Sequence, residues 1–429
     1  MNNNKMTLLF DATILVDGEL DNGARSGVYF VAKNVLEGFL KKPGVNVILL
    51  AYPTRNAGLH NLVKKYHYNA SILDEASVTS KSVFYFLKIS RQLRKRFFKL
   101  VLLRKIFSGI EFVLEFGYEK IYNRTIFRKH LEKKLQDVRF FFSPLTDAPR
   151  YIEQNKQIKK FIVLYDVIPF KLPEYECQKN NKWFHYFLNE SNYYFAISQS
   201  TKKDFCELYP NINEKHIWVT YLAASKTFTL NKSASQLETV KNKYCIPASK
   251  KYVFSLCTLE PRKNLIRAVK TFVLFAEKNH VDDMLFVLGG GAWNAFEERL
   301  KKETDVADLY DKYIVRAGYI DDADLPVLYS NAEWFVYTSQ YEGFGLPPLE
   351  AMQCGCPVIT SNNSSLPEVV GDAGIMIDWD SDSQHIKAYE DYYFNEQLRK
   401  ENSRKGLVRA KDFSWDKTID EMLRGMSNE

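Results

Sequence analysis

The chain has 429 residues, 46% apolar and 26% charged, an ordinary globular balance with length for two or three domains. No apolar run of about eighteen residues exists, so no membrane span is predicted. The net charge of +7 suits an anionic ligand or surface but falls short of a nucleic-acid signature, and no helix-turn-helix, zinc-finger or RNA-recognition pattern is present.

In chain order, "MNNNKMTLLFDA" has no apolar h-region followed by a small-residue cleavage site, so a secretory signal is not expected. Within it "MTLLFDA" reads as a strand, "RSGVYFVAKNVLEGFLKK" as a helix and "VNVILLAY" as a strand. An irregular basic region follows. Its segment "KISRQLRKRFFKLVLLRKIF", 88–107, carries eight Lys or Arg. On one helix it would put Ile89, Leu93, Phe97, Leu100, Leu103 and Phe107 on a common face, with Arg91, Arg94, Lys95 and Lys105 opposite. That is the pattern of a membrane-surface helix, and equally of a core-packed helix with a solvated basic side. "VRFFFS", "KFIVLYD", "YYFAIS" and "IWVTY" are strand-like, and the polar stretch 225–251 has the composition of a linker.

Beyond it, "KYVFSLCTL", "DMLFVLGGG", "YIVRAGYI", "EWFVYTS" and "PVIT" read as strands. "NLIRAVKTFVLFAEKN" reads as a helix with Leu265, Val269, Phe272 and Ala276 on one face, and "PPLEAMQCG" as a short helix opening at Pro347. Strands without alternation, separated by helices, predict parallel sheets covered on both faces. The expected fold is α/β: two Rossmann-like domains facing a cleft, with ligands at the carboxyl ends of the strands. Six cysteines, at 177, 206, 245, 257, 354 and 356, complete no zinc-ligand set and read as reduced cytoplasmic thiols.

The stretch "YEGFGLPPLE" carries the chemistry. Two prolines lack an N–H, so the donors at this helix start are Gly343, Phe344, Gly345 and Leu346, which together suit a phosphate. Glu350, read in the first turn, can accept two bonds from a ribose diol, and Glu342 can take a second polyol. Ribose, diphosphate and hexose in that order make a nucleotide sugar. "LGGGAW" lacks dinucleotide-site spacing, and the Asp282–Asp283 and Asp321–Asp322 pairs read as turns.

"SLCTLEPRKNLIRAVKTF" and "AGYIDDADLPVLYSNAEWFVYTSQYEGFGLPPLEAMQCGCPVITSNNSSLPEVVGDAG", in that order, resemble the retaining glycosyltransferases of family 4, GT-B enzymes that include bacterial O-antigen and capsule mannosyl- and rhamnosyltransferases. The resemblance implies that Arg262 and Lys263 hold the donor diphosphate and that Tyr319 and Ile320 contact the base. It places Gly27 beneath the donor, with Ser26 beside it on the acceptor side. Asp166 is retained from the family's "HD-x-x-P" segment, Tyr165 stands where many members have histidine, and Ser198 and Ser200 are acceptor-side candidates. The catalytic set so implied is Glu342, Lys263, Arg262 and Asp166. The domains implied are an acceptor domain at 1–225, a nucleotide-sugar domain at 226–405 and a C-terminal helix at 406–429 crossing back.

The function expected is hexose transfer, with retention, to a glycan or polyprenyl-linked acceptor at the inner membrane face. The donor would be a nucleotide sugar such as GDP-mannose or dTDP-rhamnose, with no metal and no further cofactor. The rival readings are an NDP-sugar epimerase or phosphorylase on the same fold, and an inactive sugar-binding or membrane-tethering subunit.

Overall fold

The structure, a computed structural model, describes residues 6–20, 27–74, 78–96, 100–125, 134–145, 148–172, 188–291 and 293–429. Ser26 lies outside them. Two parallel sheets organise the chain. The first contains β1 (Met6–Asp11), β2 (Val45–Leu50), β3 (Ser71–Ile72), β4 (Phe140–Ser143), β5 (Lys159–Leu164), β6 (Tyr193–Ala196) and β7 (Ile217–Val219), in the order β3-β2-β1-β4-β5-β6-β7. The second contains β8 (Lys251–Leu256), β9 (Met284–Gly289), β10 (Ile314–Gly318), β11 (Phe335–Tyr337), β12 (Val358–Ser361) and β13 (Gly374–Ile377), in the order β10-β9-β8-β11-β12-β13.

Helices cover both faces of each sheet, which is why β4 can read Phe-Phe-Phe with every side chain buried. In the second sheet the strand order reverses between β8 and β11. At such a switch point the loops leave in opposite directions and open a crevice at the strands' carboxyl ends. The loops after β8 and β11 carry Arg262–Lys263 and Glu342.

Three regions differ from the sequence expectation. The stretch 225–251 is not bare linker: it contains the helix Ala234–Lys243, whose Val240 is buried, and Tyr244 just beyond it is buried too. The segment 88–107 is not one helix, because it falls on two, Val78–Arg96 and Val101–Thr125, which pack as a hairpin. Phe97 lies outside the described residues, Leu93, Leu103 and Phe107 are half-buried, and only Ile89 and Leu100 of the proposed face are exposed. Arg91 is tied to Asp17 at 3.3 Å and Arg94 to Glu111 at 3.5 Å, while Ser90 donates to the same Glu111 at 3.0 Å. The hairpin buries a polar seam and turns apolar side chains outward, among them Leu102, 73% exposed, and the stacked pair Phe112 and Phe116. Finally, the short helix before β12 runs Leu346–Gln353, so Glu350 sits in its second turn rather than its first.

The C-terminal helix Trp415–Ser427 packs on the first sheet's side of the molecule. A Cβ at Gly38 would stand 2.4 Å from Ile419 of that helix, and one at Gly425 would stand 3.1 Å from Phe195 of β6, so both crossings need a bare backbone.

Candidate active site

After β8 the chain makes a tight turn, Pro261–Lys263, and passes through Asn264 in the left-handed region (φ 57°) into the helix Leu265–Lys278. Asn264 donates from Nδ2 to the Thr338 carbonyl at 3.1 Å and to the Trp379 carbonyl at 2.6 Å, which locks the turn to the end of β11. The Gln340 N–H bonds the Arg262 carbonyl at 2.8 Å and joins the two loops again.

These ties bring three charges together. Lys263 Nζ stands 2.6 Å from Glu342 Oε1 and Arg262 Nη1 stands 3.2 Å from the same oxygen. Both basic side chains therefore point into the crevice. Lys263 is buried, its Nζ also donating to the Tyr337 hydroxyl at 2.7 Å with the cation 5.0 Å from the ring centre. Arg262 bonds the Tyr341 carbonyl at 3.1 Å and pairs with Glu260 at 3.2 Å. Burial pushes the Glu342 carboxyl up, but Lys263 and Arg262 outweigh it and hold the group below the usual glutamate range. Where the sequence analysis expects Glu342 to take a polyol, in the structure its carboxylate first gathers the two cations.

The loop after Glu342 is fixed from behind. The Glu342 N–H bonds Ser364 Oγ at 3.0 Å, and the Ser365 hydroxyl bonds the carbonyls of Glu342 at 2.9 Å and Phe344 at 2.7 Å. With those carbonyls turned back, the N–H groups of Gly343, Phe344, Gly345 and Leu346 have no acceptor among the described residues. Gly345 caps the helix with φ 119°, a conformation open to glycine. Gly343 is needed for another reason: a Cβ there would lie 2.1 Å from the Tyr165 carbonyl of the first sheet. Its bareness lets the two halves of the molecule approach, where a ligand was expected to be the close neighbour.

Asp166 follows β5 and stands opposite. Its Oδ1 accepts the Ile168 N–H at 3.0 Å. Burial raises its carboxyl, against the Ile168 N–H and the charge of Arg262. Beside it the Tyr165 hydroxyl is buried, with no hydrogen-bond partner among the described residues.

Glu350 accepts from the Tyr329 hydroxyl at 3.2 Å, and burial pushes its carboxyl up to about 7. Tyr319, 76% exposed, leaves the end of β10, while Ile320 is buried and closes over Gly289. Gly27 is exposed at the start of the helix Gly27–Lys41, and a Cβ there would meet nothing within 4 Å. Ser198 is fully buried and caps the helix Gln199–Leu208, its Oγ accepting the Thr201 N–H at 3.0 Å. Ser200 offers its N–H to Glu368 of the second half. The Ser198 hydroxyl is thus committed within the protein, whereas only the backbone of Ser200, a half-buried residue, is held by Glu368. Sequence reasoning missed Tyr337, Asn264, Ser364, Ser365 and Glu368, although all but Tyr337 sit in loops or short helices after a parallel strand.

Buried cations beside a set of unpaired N–H groups can meet a diphosphate, and the nearby partly exposed Glu350 can meet a diol. The family described as glycosyl transferases group 1 matches residues 237–407. O-antigen chain mannosyltransferase B of Escherichia coli is 31% identical over 295 residues, 67% of this chain and 75% of that protein. The serotype-specific mannosyltransferase WbdA of Escherichia coli is 30% identical over 238 residues, 54% of this chain and 28% of that protein. Among solved structures, Anabaena Alr3699/HepE in complex with UDP and glucose superposes with a TM-score of 0.62 at 14% identity, over 99% of this chain and 100% of that one, a likeness of fold. The chain thus belongs to the glycosyl transferases group 1 family, a glycosyltransferase built on two Rossmann-like sheets in the GT-B arrangement.

Proposed function

We propose that this enzyme moves a hexose, with mannose the first candidate, from a nucleoside-diphosphate sugar to a glycan or polyprenyl-linked glycan in surface polysaccharide synthesis. The observation that carries the reading is the meeting of Lys263 and Arg262 on one oxygen of Glu342, beside the open N–H groups of Gly343 to Leu346 and across from Asp166. The names of the mannosyltransferase relatives favour mannose, with GDP-mannose and dTDP-rhamnose as the first donors to try.

In this reading Lys263, Arg262 and the loop amides hold the diphosphate, and Glu350 takes the ribose hydroxyls. Tyr319 and Ile320 border the base, Gly27 lies beneath the donor, and Tyr165 and Asp166 line the side from which the acceptor enters. As the bond from the sugar's anomeric carbon to the phosphate oxygen breaks, the oxygen gains negative charge, and two fixed cations stabilise it most at that moment. The acceptor hydroxyl bonds the anomeric carbon from the same face and gives its proton to the departing phosphate, so configuration is retained. Because the protein supplies the positive charge, no metal is needed for the leaving group.

The outer face of the Val78–Arg96 and Val101–Thr125 hairpin, with Leu102, Ile106 and Phe112 exposed beside Lys105, supports peripheral contact with an anionic inner-membrane surface. No helix among the described residues is long and apolar enough to cross a membrane. Incubating the protein with GDP-mannose, dTDP-rhamnose and UDP-hexoses, with and without EDTA, tests the whole reading. Transfer from one donor that survives EDTA supports it. Epimerised donor without transfer, transfer only with added magnesium or manganese, or binding without turnover would each sink a named part.

A further inference from the structure

The helix Leu366–Val370 lies past β12 in the second half, and the helix Gln199–Leu208 lies past β6 in the first. Glu368 reaches from one to the other. Its Oε2 accepts the Gln199 N–H and its Oε1 accepts the Ser200 N–H, each at 2.7 Å. The first N–H groups of a helix have no partner of their own and carry partial positive charge, so a carboxylate there makes two charge-assisted bonds.

The same helix end also grips the donor loop. The Ser198 hydroxyl donates to the Gly343 carbonyl at 2.8 Å, Thr201 adds a bond to that carbonyl at 3.2 Å, and the Tyr341 hydroxyl donates to Asp204 one turn on. Glu368 is itself held in place, because Arg409 donates to its carbonyl and to that of Val369. One helix of the first half is therefore bonded both to Glu368 and to the residues on either side of Glu342.

We propose that Glu368 is a positioning residue for sugar transfer: by capping the Gln199–Leu208 helix across the cleft, it holds the two halves together and sets the loop carrying Glu342 against Asp166. Ser198 and Ser200 then serve closure. The effect on turnover rests on the transferase reading above, whereas the effect on closure is measured without any substrate.

The test compares the wild-type full chain with Glu368→Ala and Gln199→Pro, one change on each side of the cleft. Proline suits the first helical position and lacks the N–H, and Ser198 is already extended, at φ −155° and ψ 162°, as a residue before proline must be. Small-angle X-ray scattering, with and without GDP, should give both variants a larger radius of gyration than wild type at an unchanged melting temperature. Their transfer rate should fall roughly tenfold or more, as expected on losing a hydrogen bond to a charged group. GDP affinity, which depends on the second sheet, should not change. Scattering from Glu368→Ala that superimposes on wild type in both conditions would overturn the proposal. So would a Gln199→Pro protein that closes and turns over normally while Glu368→Ala does neither, since Glu368 would then act elsewhere. If one variant fails to fold, the other carries the test.

Discussion

Lys263 and Glu342, 79 residues apart in sequence, meet at 2.6 Å in a site where both side chains are largely shielded from water. A buried ion pair adds little net stability, yet removing one partner leaves a charge without compensation, at a cost of about 3–5 kcal/mol. Glu342→Gln should therefore unfold at markedly lower guanidinium concentration than wild type. Adding Lys263→Met should restore part of the loss, because an apolar replacement for the pair is close to neutral. A Glu342→Gln protein as stable as wild type would show that water already screens this cluster.

Lys263→Ala should reduce turnover more than donor affinity. The lysine meets more negative charge as the phosphate departs than in the bound donor, and losing one such contact costs about a hundredfold or more in rate. Arg262→Ala, which removes a less buried cation with a further carboxylate partner in Glu260, should have the smaller effect. Turnover number and donor Michaelis constant for each variant decide the matter. Near-normal turnover with only a raised Michaelis constant in both would leave leaving-group stabilisation to the loop amides.

Nucleotide binding should depend on pH through Glu350. Burial pushes this carboxyl from 4.5 up to about 7, with the Tyr329 hydroxyl opposing and Asp322 adding to the rise. A ribose diol donates to the ionised form, so affinity is full above that value and falls below it by up to about tenfold per pH unit. For stability the sign is reversed: the protonated group favours the folded state below the ordinary value, and that contribution is lost as pH rises through about 7. Calorimetry with GDP on both sides of neutrality should show a larger step in wild type than in Glu350→Gln, which binds more weakly throughout the upper range. Ionisation of the nucleotide is common to both proteins and cancels.

The outer face of the hairpin should bind anionic vesicles. Phe112 and Phe116 are the side chains to change, because Arg91 and Arg94 are engaged within the protein. A buried phenylalanine contributes about 1.5–3 kcal/mol, so Phe112→Ser with Phe116→Ser should abolish most flotation with phosphatidylglycerol vesicles. Lys105→Gln should matter at low salt and fade as salt screens the lipid charge. Equal flotation of wild type and the double variant would assign this face to another partner.

The second sheet was legible because its signals are local. Apolar runs such as "DMLFVLGGG" and the periodic face Leu265, Val269, Phe272 and Ala276 need no distant partner to be read, and all four of these side chains are buried. The strand Gly374–Ile377 was missed because it is only four residues long and opens on the last glycine of "GDAG", which reads as a turn. The hairpin was misread because the sequence between Arg96 and Val101 carries neither glycine nor proline to mark where one helix ends and the next begins. The site divides similarly. Residue type and spacing single out Glu342 and Glu350, and the family resemblance adds Arg262 and Lys263, whereas Tyr337 becomes visible only when β11 pairs with β8. The roles of Ser198 and Gly343 depend on contact between two halves of the chain, and no spacing along the sequence encodes it.

The C-terminal helix has a mechanical consequence. The chain passes between the two halves twice, once after β7 and once before Trp415, and the passages touch: the Thr418 hydroxyl bonds the Tyr221 carbonyl at 2.6 Å, and Tyr221 and Phe413 meet at 5.8 Å between ring centres. A body on one strap can swivel and twist freely. On two adjoining straps, most of that freedom is lost, and what remains is opening and shutting about the line they share, like covers on a spine. Cutting the chain between Phe413 and Trp415 would leave every donor-side group intact, yet turn this directed swing into an undirected tether.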